Sequence, residues 1–232
     1  MIFSCVAACS GLWALAQCVF STLPKASYDL AVLWWQIGYM GVIFTVVFFT
    51  HFVVSYLKLS KQYLIRSLYV CGFFFLFLNW YSNSRLFLGE LTYTFNQFYW
   101  HDWFKEKHLS YLIFYISFYW IILGYDFLLL LRHYKDADGI RRSQIKYFLV
   151  GAAIGWLSAE LLILIDFRIY LYPYTILLMA VYPIIIGYSI VRYRLMDIRV
   201  AITRAGIFTV VYGLVLGIPF IEIGRASCRE RV

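Results

Sequence analysis

Seven apolar windows, each close to the length of a membrane-spanning helix, dominate this sequence. They lie at residues 2–20, 32–56, 63–82, 110–131, 147–165, 170–191 and 205–221. A helix needs about 20 mainly apolar residues to cross the hydrocarbon core of a bilayer. Only 14% of the residues are charged, whereas soluble domains carry about 25%. The sequence therefore predicts an all-α, multi-pass transmembrane helix bundle with about seven spans.

Basic residues concentrate in alternate loops between these windows. One set of loops and span ends holds Lys58, Lys61, Arg66, Arg132, Lys135, Arg141, Arg142, Lys146, Arg192, Arg194, Arg199 and Arg204. The other set holds only Lys25, Arg85, Lys105, Lys107 and Arg168. Because an excess of Lys and Arg marks cytoplasmic loops, we expect the first set and the N-terminus to be cytoplasmic. The net charge of +8 thus indicates orientation and contact with anionic lipid, and no nucleic acid partner is expected.

The end of the chain differs in character from the rest. Residues 222–232 read EIGRASCRERV, a polar string that interrupts an apolar window. Reverse-translated, the string matches a common short-read sequencing adapter. We therefore expect a non-biological tail at 222–232, a truncated additional span at 205–221, and a natural reading frame that continues past Ile221.

Three ordered stretches resemble a known family. They are residues 3–20 with the later Trp35 and His51-Phe52, residues 141–151 (RRSQIKYFLVG), and residues 170–198 with the exit RYRLMDI. Together they resemble the N-terminal seven-helix transmembrane sensor region of bacterial sensor histidine kinases. In that family one more helix usually precedes the segment matched by 2–20. Residues 1–204 are therefore expected to form the sensor region without one upstream helix.

The resemblance implies a function and partners. It implies a signal-input region that lies in the bacterial inner membrane and forms a homodimer. It also implies a kinase domain that would use ATP and Mg²⁺ and would pass the signal to a response regulator. None of the four histidines has a phosphoacceptor context, so no catalytic residue and no cofactor is assigned to this sequence. The segment expected to transmit the signal out of the membrane contains Arg192, Tyr193, Arg194 and Asp197.

Two carboxylates lie inside predicted spans. Glu160 falls deep in the fifth window. A carboxylate at the bilayer centre costs about 2.5–3.5 kcal/mol on insertion scales, so such residues tend to face the bundle interior and to be functional. Glu160 is thus a ligand or signal candidate, with a structural interhelix hydrogen bond as the alternative. Asp126 lies closer to the predicted cytoplasmic face, and for it we expect structural pairing.

The loop at residues 81–109 is the longest between two windows and is rich in aromatic residues. Thr92 to Tyr99 alternates weakly and is compatible with a short strand or hairpin. Trp100, His101 and Trp103 are candidates for ligand recognition. Burial of the aromatic rings at the outer membrane interface is the simpler interpretation. The histidine and carboxylate spacing here matches no zinc pattern, so no metal site is predicted.

Small residues in the spans suggest close packing. Gly151 and Gly155 have GxxxG spacing, as do Gly213 and Gly217, and such pairs let helices approach closely. Cys5 and Cys9 share a helix face and are expected to act as small apolar residues.

Two other functional classes stay open. The same sensor region can be coupled to another output, such as a cyclic-dinucleotide synthase. Alternatively, the chain is a stand-alone transporter or membrane scaffold, although no convincing internal repeat is present. The sequence contains no P-loop, GxSxG or HExxH motif. All lysines lie at span ends or in loops, which argues against a retinal-binding protein.

Overall fold

The structure is a computed structural model that describes residues 2–81, 87, 89–94, 97–99, 111, 113–160 and 181–193. All of these residues belong to one compact unit, Met1–Leu195. The predicted span at 205–221 and the predicted tail at 222–232 lie outside the described residues.

The described part of the chain has six α-helices, one π-helical segment and one hairpin. The helices are α1 (Ile2–Thr22), α2 (Tyr28–Tyr56), α3 (Gln62–Trp80), α4 (Ile122–Asp136), α5 (Gly139–Glu160) and α6 (Val181–Tyr193). A π-helical segment, Phe114–Ile121, runs directly into α4. Between α3 and this segment, β1 (Thr92–Thr94) pairs antiparallel with β2 (Gln97–Tyr99), with Thr92 opposite Tyr99. Of the short strand or hairpin with which the weak alternation is compatible, the structure has the hairpin.

Four helices of the described chain are long and apolar enough to cross a membrane. They are Ile2–Thr22, Tyr28–Tyr56, Gln62–Trp80 and the continuous stretch Phe114–Asp136. Their positions match the first four predicted windows. Seven spans are not confirmed, because the fifth and sixth windows are only partly described and the seventh is not described at all. In a bilayer such helices are favoured because each satisfies its own backbone hydrogen bonds.

Helix α2 is the central helix of the bundle. Its glycines allow close packing against α1, because a Cβ at Gly38 would lie 2.9 Å from Ala16 Cβ and one at Gly41 would come under 3.0 Å from the Cys9 carbonyl oxygen. On the α3 side, Gly72 faces Val47. Helix α2 is therefore held by backbone proximity to α1 and by side-chain contacts to α3.

The two ends of the bundle differ in charge. At one end, here called the basic end, α2 finishes and α3 begins, and Tyr56 donates a hydrogen bond to Gln144 of α5 at 3.1 Å. The start of α1 also lies there, since the rings of Phe3 and Phe52 are 5.2 Å apart. The opposite end, the hairpin end, holds the α1–α2 turn with Lys25 and the β-hairpin. The structure thus places the α2–α3 and α4–α5 turns, which carry most of the described residues of the larger basic set, at the same end; Arg194, Arg199 and Arg204 lie outside the described residues.

The outer surface of the bundle is apolar. Large hydrophobic side chains are exposed along one face of α3 and along the π-helical segment and α4, including Val70, Phe73, Phe77, Ile116 and Leu128. Exposed apolar surface on this scale is unfavourable in water. It fits a chain whose helices are surrounded by the lipid bilayer.

Candidate functional site

Aromatic rings fill the bundle at the hairpin end. This aromatic cluster consists of Trp13, Phe20, Trp35, Tyr39, Phe87, Tyr111 and Phe114. Phe20 stacks on Trp35 with ring centroids 4.3 Å apart, and Trp13 meets Tyr39 edge-on at 5.6 Å. Phe87, from the loop after α3, is fully buried and lies 5.2 Å from Phe114. The cluster therefore joins α1, α2, the loop and the π-helical segment.

A few buried polar groups lie near this cluster. The side-chain amide of Gln36 donates to the Asn79 carbonyl oxygen at 3.1 Å, and that of Asn79 donates to the Gln36 carbonyl oxygen at 2.8 Å. The hydroxyls of Tyr39 and Tyr111 are 3.2 Å apart. Ligand sites are mostly apolar, with a small number of placed polar groups. The hairpin end likewise combines apolar aromatic side chains with a few buried amides and hydroxyls.

The hairpin is attached to the bundle through Tyr28, the first residue of α2. The ring of Phe98 in β2 is buried and lies 6.2 Å from that of Tyr28. The Leu91 amide donates to the Tyr28 hydroxyl at 3.1 Å. The Phe98 ring thus packs on protein. Burial of the aromatic rings of this loop at the outer membrane interface, the simpler interpretation of the sequence, stays a prediction.

Replacing Asn79 by leucine removes one of the two reciprocal hydrogen bonds between α2 and α3. Hydrogen bonds between helices inside membranes average about 0.6 kcal/mol and reach about 1.7. We expect a loss of about 1 kcal/mol in unfolding free energy, because both partners are buried. Thermal unfolding in detergent micelles measures it, and Gln62→Leu, an exposed amide on the same helix, is the control. Equal stability of the two variants would contradict the expected role of Asn79.

A second polar contact lies nearer the basic end. The Thr50 hydroxyl donates to Asp126 Oδ2 at 2.6 Å, and both residues are fully buried. The other carboxyl oxygen, Oδ1, has no hydrogen-bond partner within the described residues. The structural pairing expected for Asp126 is confirmed. This contact joins the central helix to α4.

The π-helical segment Phe114–Ile121 connects the aromatic cluster to the helix that carries Asp126. Phe114 belongs to the cluster, and the Ser117 hydroxyl donates to the Ile113 carbonyl oxygen one turn earlier. π-Helical turns within α-helices are rare and are found frequently at functional sites. No feature of the sequence pattern distinguished this segment from an ordinary apolar helix.

Helices α5 and α6 meet at a seam of small residues. A Cβ at Gly151 would lie 2.8 Å from Ile186 Cδ1, and one at Gly155 would lie 3.1 Å from the ring of Tyr182. The close approach predicted for the first GxxxG pair is confirmed, and Gly213 and Gly217 lie outside the described residues. Tyr147 and Tyr188 are 5.6 Å apart, so α6 runs antiparallel to α5 and leads to the basic end.

The predicted site residues fall largely at or beyond the limits of the described chain. Glu160 is the last residue of α5, and its side chain is not described. Trp100, His101 and Trp103 follow β2 and lie outside the described residues, as do Arg194 and Asp197. Arg192 is exposed in the last turn of α6, and Tyr193 ends that helix. The side chains of the ligand candidates therefore lie outside what the structure describes, whereas the exit helix α6 is placed against α5.

The described residues contain no group of three or more His, Cys, Asp or Glu side chains placed to hold a metal ion. Cys5, Cys9 and Cys18 are half-buried free thiols within α1.

Comparison with known proteins gives one match. The model of the N-terminal 7TM region of histidine kinase matches residues 1–199. No curated protein and no solved structure matches the chain.

Proposed function

Because the chain belongs to the family of N-terminal 7TM regions of histidine kinases, we propose that it is the membrane-embedded signal-input region of a two-component sensor histidine kinase. The family match over residues 1–199 carries this proposal. The apolar outer surface and the four membrane-length helices support the embedding in lipid.

The arrangement of the bundle supports an input at the hairpin end. There, an aromatic cluster with a few buried amides and hydroxyls lies under a hairpin. A ligand, a lipid or a change in the membrane would favour one of two arrangements of the helices, and only a difference in affinity for the two can shift them. Trp100, His101 and Trp103, which follow β2 in the sequence, and Glu160 are the proposed ligand or signal residues.

The output side is proposed at the basic end. Helix α6 packs on α5 through the glycine seam and ends with Arg192 and Tyr193, which Arg194 and Asp197 follow in the sequence. A shift of α6 along α5 would carry the signal through these exit residues. The basic end then faces the cytoplasm, in agreement with the excess of Lys and Arg there.

The remaining partners follow from the same proposal. The protein would be a homodimer of the bacterial inner membrane that signals to a response regulator. ATP and Mg²⁺ would serve a kinase domain, and no residue described above is assigned to phosphoryl transfer.

Sequencing the natural locus across the codon for Ile221, from genomic DNA with adapter-free primers, tests the proposal. We expect the reading frame to continue into a phosphoacceptor helix and an ATP-binding domain. A cyclic-dinucleotide synthase domain would keep the input role and overturn the kinase output. A prompt stop codon would overturn both and leave a transporter or membrane scaffold.

A further inference from the structure

The π-helical segment Phe114–Ile121 aligns two buried groups that an ordinary helix would separate. Phe114 belongs to the aromatic cluster, and Asp126, twelve residues later, contacts Thr50; Phe114 and Asp126 are both fully buried. An α-helix turns by about 100° per residue, so in a continuous α-helix Asp126 would lie about 120° around the axis from Phe114. Each π-helical residue turns the chain less, because its hydrogen bonds span five residues. The segment therefore brings both groups to the side of the helix that faces the bundle.

The aromatic rings within the segment depend on the same geometry. Tyr119 follows Phe114 by five residues, and the two ring centroids are 6.3 Å apart. An α-helix would place these two side chains about 140° apart around the axis. Tyr119 is buried and packs edge-on against Trp156 of α5, with ring centroids 5.1 Å apart. The π-helical hydrogen-bond pattern, here called the π register, thus joins the aromatic cluster to α5.

Ser117 gives the segment a side-chain hydrogen bond. Its side chain is exposed, and its hydroxyl donates to the Ile113 carbonyl oxygen. In an α-helix the backbone amide of residue 117 would donate to this oxygen, because the bonds run from i to i−4. In a π-helix the amide one residue later takes that role. The hydroxyl therefore supplies a donor where the α-helical amide is absent, and in lipid no water is available to replace it.

Packing around Phe114 holds the segment in the π register. π-Helices are rare and mostly limited to single turns, whereas this segment has eight residues. The Phe114 ring lies 5.2 Å from that of Phe87 and 5.0 Å from that of Phe75 on α3. These contacts require Phe114 to face the bundle. Without them the same residues would favour the commoner α-helical hydrogen bonds, here called the α register.

We propose that the π-helical segment converts between the π register and the α register, and that this conversion couples the packing of the aromatic cluster to the contact of Tyr119 with α5. A stimulus that loosens the cluster would release Phe114, and the α register would turn its ring toward lipid. Trp156, which Tyr119 contacts, is next to Gly155, where α6 packs on α5. A two-state element that both sites bias is what coupling between them requires. Its role in signal output rests on the proposed function, whereas the change of register does not.

The test places 4-fluorophenylalanine at position 114 of the full chain in nanodiscs and measures broadening of its fluorine NMR signal by spin-labelled lipid. We expect little broadening in the otherwise unchanged chain, because Phe114 is fully buried. Ser117→Ala removes the side-chain hydrogen bond, and a typical net hydrogen bond changes an equilibrium about 5-fold. We therefore expect about 5-fold more broadening in Ser117→Ala, and none of this increase in Ser117→Thr, which keeps the hydroxyl.

Ser67→Ala is the matched control, because the exposed Ser67 hydroxyl donates to the Tyr63 carbonyl oxygen at 2.9 Å within an ordinary α-helix. We expect its signal to be unchanged. Unchanged broadening in Ser117→Ala, with folding verified by thermal unfolding, would overturn the proposal. An equal increase in Ser67→Ala would also overturn it, because the effect would then be a general loosening of the bundle.

The coupling to the aromatic cluster is tested with Phe87→Ala and the milder Phe87→Leu, which remove the ring that packs against Phe114. We expect the lipid broadening at position 114 to rise in both variants, more in Phe87→Ala, because the contact that holds the π register is lost. Unchanged broadening in the folded variants would overturn the coupling. All these measurements concern the chain without a kinase domain, so their failure leaves the sequencing test of the proposed function unaffected.

Discussion

Replacing Thr50 by valine is expected to lower the unfolding free energy by about 1.7 kcal/mol, the upper end for hydrogen bonds between membrane helices, although the two side chains have nearly the same shape. The Thr50 hydroxyl is the hydrogen-bond donor to a fully buried carboxyl group, that of Asp126. The other carboxyl oxygen has no partner within the described residues, so the valine variant removes the hydrogen bond that these residues give the group. The upper end applies because the acceptor is a buried acidic group, which is costly to leave without its donor. Chemical unfolding of the reconstituted protein measures the loss.

The double variant Thr50→Val, Asp126→Leu is the decisive control for this contact. Removing both polar partners can be nearly neutral, since no buried group is left unsatisfied. We therefore expect the double variant to recover most of the stability lost in Thr50→Val. If the two substitutions were simply additive, Thr50 and Asp126 would not be coupled and the contact would not join α2 to α4.

Replacing Gly41 by leucine is expected to lower the unfolding free energy by about 3 kcal/mol and to push α1 away from α2. A Cβ at this position would meet the Cys9 backbone carbonyl oxygen under 3.0 Å away. A backbone atom cannot move aside as a flexible side chain can, so the helices themselves must shift. Overpacking of a well-packed interface costs about 1–3 kcal/mol and occasionally more, and here the obstacle is backbone. Thermal unfolding of the purified variant gives the value.

Gly124→Leu is the matched control, because a Cβ at Gly124 has no atom within 4 Å. For Gly124→Leu we expect no loss of unfolding free energy, and a gain of up to about 1 kcal/mol because leucine has a higher helix propensity than glycine. If Gly41→Leu unfolded at the same temperature as Gly124→Leu, the close packing of α1 on α2 would be refuted.

The sequence predicted the helices well because length and apolarity are local properties. The first four windows became membrane-length helices with ends within a few residues of the prediction. The two described basic turns, α2–α3 and α4–α5, lie at the same end of the bundle, as expected for antiparallel neighbouring helices. Helix α5 began earlier than its window, at Gly139, because Arg141, Arg142 and Lys146 are charged yet still helical. Apolarity alone cannot locate a helix end that lies beyond the apolar stretch.

Contacts between distant residues were harder to predict. Gln36 and Asn79 are 43 residues apart, and Thr50 and Asp126 are 76 apart, so no local pattern couples them. The sequence signal for such a contact is a polar residue inside an apolar span. Asp126 is such a residue, but its position does not identify Thr50 as its partner. The π-helical segment was also missed, because its residues are as apolar as those of an ordinary span.

The central claim is that α6 transmits a signal along α5 to a kinase. The most direct test is the autophosphorylation rate of the complete product of the natural locus in nanodiscs, compared among wild type, Gly151→Leu and Gly187→Leu. Gly151 faces Ile186 at contact distance, whereas a Cβ at Gly187 has no atom within 4 Å. Coupling between sites is typically 5–150-fold, so we expect a change of at least about 5-fold in Gly151→Leu and none in Gly187→Leu. Thermal unfolding confirms folding, and Gly151→Ala provides a milder change. Equal rates in all folded variants, or no autophosphorylation in wild type, would contradict the account.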